Sequence, residues 1–124
     1  MMRGEGQTAV DSFTSLLRLD PLDPARSQAW MGLGCAYNIL ADYANGYEWS
    51  RKAMELQPAI HTLAYFIINA VPFGRTAEAR DATAKMLNLH PGMVVSDAME
   101  LCHTRDPEWQ ERMRQSFREV GLLD

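Results

Sequence analysis

The side chains of this 124-residue chain best suited to chemistry are three histidines, two cysteines and sixteen carboxylates. A metal ion needs several such ligands at workable spacing, commonly three or four residues apart on a helix or in paired short loops. Cys102 and His103 are adjacent, and on a helix neighbouring side chains diverge by about 100°, too far to share an ion. His61 and His90 have no second ligand three or four positions away, and Cys35 has no histidine near it. Asp97 and Glu100 sit three apart, a pairing common at helix starts. Gly32-Leu33-Gly34 is too short for a phosphate loop, and no serine lies in a Gly-x-Ser-x-Gly elbow. The expectation is a chain with no cofactor, no metal and no catalytic role. Its histidines are read as capping or surface residues and its cysteines as free thiols packed like small hydrophobes.

Composition agrees with a binding role. Hydrophobic residues make up 47% and charged residues 23%, an ordinary globular balance. The net charge is −4, with twelve basic residues interleaved among sixteen acids, so the basic stripe expected of a nucleic-acid binder is missing. The uncharged run at residues 62–74 is broken by Asn69, Pro72 and Gly74, and falls short of the roughly 20 residues that cross a bilayer. The first ten residues lack the apolar stretch of a secretory signal. A cytoplasmic protein touching neither membrane nor nucleic acid is expected.

The elements that position these residues read as helix after helix, near 6–19, 24–41, 44–57, 59–71, 76–89, 96–102 and 107–120. Proline and glycine supply the boundaries. Asp23-Pro24 and Asp106-Pro107 each place a carboxylate to accept from first-turn amides and a proline where its missing N–H is harmless. Gly121 is expected to end the last helix. Pro21, Pro58 and Pro91 recur at intervals of 37 and 33 residues.

Within the second helix, Trp30, Leu33, Gly34 and Tyr37 match the Trp-x-x-Leu-Gly-x-x-Tyr pattern, and the chain resembles the tetratricopeptide repeat family, whose period is about 34 residues. Trp30, Leu33 and Tyr37 fall on one helical face, and Gly34 permits close approach of the partner helix. Gly32 lies off the pattern and marks a spot that something approaches closely. Second-helix signatures are partial: Ala9, Phe13 and Pro21 in a first half-unit, Gly46, Ala53 and Pro58 in the next, Gly74, Ala79 and Pro91 in the third. Ser50 stands where an aromatic is usual, with Tyr47 or Trp49 to compensate. The resemblance implies an all-α, right-handed solenoid fragment of about seven helices: a half repeat at 4–21, repeats at 24–58 and 59–91, and capping helices at 92–124.

The last fifty residues also resemble the C-terminal end of bacterial adenylate cyclase-like signalling proteins with tetratricopeptide repeats, through Pro91, Gly92, Val95, Ser96, Arg105, Asp106, Pro107, Gly121 and Leu122. Cys102-His103-Thr104 departs from that pattern. The implied role is a regulatory tail.

In tetratricopeptide arrays the first helices line a concave groove. Here the resemblance assigns that groove to Gln28, Met31, Cys35, Asn38, Ile39, His61, Ala64 and Ile68, continued by Val71, with a protein or peptide as partner; for Ile68 and Val71 a plain core role stands as the alternative. Chaperone-binding members grip a terminal carboxylate with asparagine and basic residues. Gly32 replaces that asparagine, and no Lys or Arg lines this face from Trp30 to Tyr65, so the grip is not expected. The rival reading is a stand-alone module forming a homodimer through Phe13, Leu16 and Leu17, which lack the helix that would cover them.

Overall fold

The computed structural model describes residues 2–19, 22, 26–102, 104 and 106–124, with only the backbone described at 2, 3, 5 and 19. The Asp23-Pro24 helix start lies outside the described residues, as do Pro21, His103 and Arg105. The described residues form seven helices and no strand: α1 (Met2–Leu19), α2 (Arg26–Ile39), α3 (Tyr43–Leu56), α4 (Ile60–Ala70), α5 (Thr76–Leu89), α6 (Val95–Leu101) and α7 (Pro107–Glu119). This is the expected all-α fold. The starts of α3 and α5, Tyr43 and Thr76, lie 33 positions apart.

Local chemistry explains the ends. Asp42 caps α3, its carboxylate accepting from the Asn45 amide at 3.3 Å, and Asp106 caps α7 through the Trp109 amide at 2.9 Å, with Pro107 in the first turn. Helices α4 and α7 stop on glycines in the left-handed region, Gly74 at φ +85° and Gly121 at φ +96°. The residue after each bonds back to the carbonyl five positions earlier, Arg75 to Ala70 at 2.8 Å and Leu122 to Phe117 at 3.2 Å. Helix α2 makes the same closure, Asp42 to Tyr37 at 2.9 Å, but places Ala41 at φ 58° where glycine is the easier residue.

Neighbouring helices pack in sequence, α1 on α2, α2 on α3, α3 on α4 and α4 on α5. The central member, α4, also touches α2, α6 and α7. That is why "IHTLAYFIINA" is apolar nearly all round: a helix covered on every side has no polar face to keep. Leu63, Phe66, Ile67 and Ile68 are fully or almost fully buried, each contributing roughly 1.5–3 kcal/mol. They belong to the main core with Met86, Met93, Trp109, Met113 and Phe117, and a smaller core gathers Val10, Leu33 and Ala36 with Phe13, Tyr37 and Trp49.

Gly6, Gly32, Gly34 and Gly46 sit where helices or their side chains come close. A Cβ on Gly34 would lie 3.0 Å from Ser50 Cβ and 3.2 Å from its amide nitrogen, so Ser50 is small because an aromatic there would strike α2. Its hydroxyl donates to the Gly46 carbonyl at 2.6 Å. Tyr47 and Trp49 do fill the surroundings: the Tyr47 ring lies 5.5 Å from Phe66 and 5.2 Å from Phe73, and Trp49 joins the smaller core. Gly32 makes room for the Phe13 ring, which occupies the space a Cβ would take. Trp30 is less buried than its place in the pattern implies, with the Arg26 guanidinium 5.9 Å from its ring centre.

Candidate partner-binding face

Helices α2 and α4 lie side by side and present the face assigned to the groove. One end of that face is closed by the chain itself. Asn38, near the end of α2, donates to the Ile68 carbonyl at 2.9 Å and to Asn69 Oδ1 at 3.1 Å. Asn69 donates in turn to the carbonyls of Gly34 and Tyr65, at 3.2 and 3.0 Å, with its amide seated in the gap left by Gly46. Helix α7 completes the group. The Trp109 indole nitrogen donates to Asn38 Oδ1 at 2.6 Å, and Arg112 donates to the Tyr43 hydroxyl at 2.7 Å. Each buried amide thereby gains the partners it needs inside an apolar core. Further back, the Tyr65 hydroxyl donates to the Leu101 carbonyl at 3.3 Å, tying α6 over the middle of α4.

Three residues assigned to an open groove are therefore core. Asn38 is 2% exposed, Ile68 1% and Ala64 0%. The physical reason is that α6 and α7 fold back onto α4 and cover these side chains. Cys35, Ile39 and Val71 are half-buried against the main core. Burial raises the Cys35 thiol to about 12 and raises Cys102 and the Tyr65 hydroxyl as well, which leaves both cysteines free and protonated.

The opposite end stays open. Gln28 and His61 are exposed and Met31 is half-buried, and the three line one shallow cavity of about 170 Å³ with Ser27, Gln57, Ala59 and Thr62. Its floor is set by two bonds: Ser27 Oγ donates to Gln57 Oε1 at 2.7 Å, and the Thr62 hydroxyl donates to the Gln57 carbonyl at 2.8 Å. The arrangement offers amide and imidazole hydrogen-bonding groups around a flexible thioether.

The face assigned to self-association is also changed. Phe13 and Leu17 pack against α2, Phe13 over Gly32, while Leu16 alone of the three is exposed, at 47%. Helix α1 thus spends its aromatic within the chain.

Sequence reasoning did not find Asn69, Trp109, Arg112 and Tyr43 as one group. An asparagine inside an uncharged run was the available signal, since a buried amide demands partners. Those partners lie on other helices, up to 71 positions away. Among the described residues no three His, Cys, Asp or Glu side chains gather as a metal site would require, and no helix is long and apolar enough to cross a membrane. Compared with known proteins, the chain matches no protein-family model and none of the curated proteins.

Proposed function

We propose that the chain is a non-enzymatic, tetratricopeptide-type interaction module that holds a protein or peptide at the open end of the α2–α4 face. The observation that carries this reading is the shared cavity of Gln28, Met31 and His61, three residues from two helices that leave apolar and hydrogen-bonding groups uncovered together. Methionine adapts to varied partners, and amide and imidazole groups orient them. Its cellular setting, on the resemblance of the last fifty residues, is the cytoplasmic regulatory tail of a bacterial adenylate cyclase-like signalling protein.

Two experiments test the two parts. The wild-type chain and Met31→Glu/His61→Glu are immobilised and compared for protein captured from source-cell lysate, with Leu89→Glu, an exposed change on α5, as control. Loss of a bound protein in the double variant alone supports the open end, and equal capture by all three overturns it. An immunoblot with an antibody to this chain tests the tail reading. A band much larger than 14 kDa supports it, and a single band near 14 kDa replaces it with a stand-alone module, for which light scattering then asks whether the chain self-associates.

A further inference from the structure

The closed end contains a cavity of about 340 Å³ between the end of α2, the end of α4 and one side of α7. Its walls are apolar at Ile68, Val71 and Met113, and one cation, Arg112, stands among them. The guanidinium carries five N–H groups. One Nη1 proton serves the Tyr43 hydroxyl at 2.7 Å, and Nη2 reaches the Asn38 carbonyl only at 3.4 Å. Nε is buried and has no hydrogen-bond partner, and no carboxylate among the described residues pairs with Arg112. The side chain is thus fixed by its Tyr43 bond and its contact with the Tyr43 ring, 6.0 Å from the ring centre, while each Nη group keeps a proton that no described residue takes up. The two Nη groups of a guanidinium can grip a carboxylate with two parallel hydrogen bonds.

We propose that this cavity is a carboxylate-binding site, taking an apolar group that ends in a carboxylate, either a small free acid or the C-terminus of a peptide. The carboxylate meets the Nη groups of Arg112, and the apolar part lies against Val71 and Pro72. Glu119 lines the same cavity two helical turns beyond Arg112, about 10 Å along the axis. Its charge disfavours the reverse orientation. The volume, at the lower end of the usual range for ligand pockets, limits the occupant to a small acid or the last residue or two of a peptide. This site is distinct from the open end and does not rest on the function proposed for it.

The test uses the ¹⁵N-labelled full chain, following the Arg112 Nε–H signal and the amides of Val71 and Ser116 by NMR. Four probes are titrated: hexanoate, 1-hexanol, N-acetyl-leucine and N-acetyl-leucinamide. The expected result is saturable shifts with at least one of the two acids, at least ten-fold tighter than its neutral counterpart. Hexanoate alone identifies a free acid as occupant, and N-acetyl-leucine alone identifies a peptide terminus. Arg112→Gln should weaken the tighter acid at least ten-fold. Because that change also removes the bond to Tyr43, Gln115→Glu serves as a second variant. It sits on the exposed side of α7 at the cavity edge, with one bond to Glu111 at 3.3 Å, and places a competing carboxylate one turn from Arg112; a loss of at least five-fold is expected. No saturable shift with either acid, equal binding of the neutral probes, or unchanged affinity in Gln115→Glu overturns the proposal.

Discussion

The two ends of the α2–α4 face are made by the same pair of helices, yet one is covered by a third helix and the other is bare. At the covered end, Asn38 of α2 bonds to Asn69 of α4 and accepts from Trp109 and Arg112 of α7, so the last helix lies on the face instead of extending the array. At the bare end, Ser27, Gln57 and Thr62 satisfy one another across α2, the end of α3 and the start of α4 without drawing in a further helix, and Gln28, Met31 and His61 remain in reach of solvent. The contrast teaches that helix pairing alone does not decide which part of a repeat face is free. Buried polar groups decide it, by demanding a partner that the fold must then bring in.

The sharpest way to break the contrast is to remove the partner. Trp109→Ala deletes a buried indole and leaves Asn38 Oδ1 without its donor. A loss of about 3–5 kcal/mol is expected from the lost packing alone, read as a fall in the urea midpoint. A loss below about 1 kcal/mol would mean that α7 rests on the face without closing it.

Next in size is Gly46→Ala. The new methyl would meet the Asn69 amide, which cannot swing aside without giving up its bonds to Gly34 and Tyr65. Overpacking and a strained hydrogen bond outweigh the better helix propensity of alanine, for a net loss of about 2 kcal/mol. Gly4→Ala is the matched control. Nothing lies within 4 Å of the added atom, so the propensity term acts alone and stability rises by up to about 1 kcal/mol. Thermal melts of both variants check the sign. If Gly46→Ala also stabilises, Asn69 is not pinned.

These particulars show what could be read in advance. Helix positions were legible because proline, glycine and Asp-Pro pairs act locally: Asp106 caps α7 and Gly121 ends it as their types require. Gly34 and Gly32 were legible as close-approach points, and the structure supplies their neighbours, Ser50 and Phe13. The fold-back of α7 was not. It depends on Trp109 meeting Asn38 across 71 positions, and nothing in the pattern of either helix specifies that meeting. Helix α4 was the nearest clue. An apolar sequence on all sides leaves no face for a groove, so Ala64 and Ile68 belong to the core by the same argument that buries Leu63 and Phe66.

A smaller effect comes from the titrating groups along the covered face. Cys35 is raised to about 12 from a model-peptide value of 9.0, and burial also raises Cys102 and Tyr65. The unfolded chain therefore loses thiol protons above pH 9 that the folded chain keeps, and folding stability falls as pH rises from 9 toward 12, by at most about 1.4 kcal/mol per pH unit for each group. Unfolding midpoints at pH 8, 9 and 10 should show this decline, and Cys35→Ala should flatten it. Its persistence unchanged in Cys35→Ala would assign the decline to other groups.

The smallest effect is the one that sharpens the contrast most. His61 and Gln28 are exposed and Met31 is half-buried, and no hydrogen bond or ion pair holds the His61 side chain to another described residue. Substitution at such positions changes stability by no more than about 0.5 kcal/mol, so Met31→Glu/His61→Glu should melt within a degree or two of wild type. Ile68→Ala, on the same face but under α7, should lose about 2–5 kcal/mol. A double variant that melts as early as Ile68→Ala would place Met31 in the core and remove the bare end altogether. An unchanged melt would leave those side chains free of any structural duty, so any loss of binding in the same variant reports on contact with a partner and not on the fold.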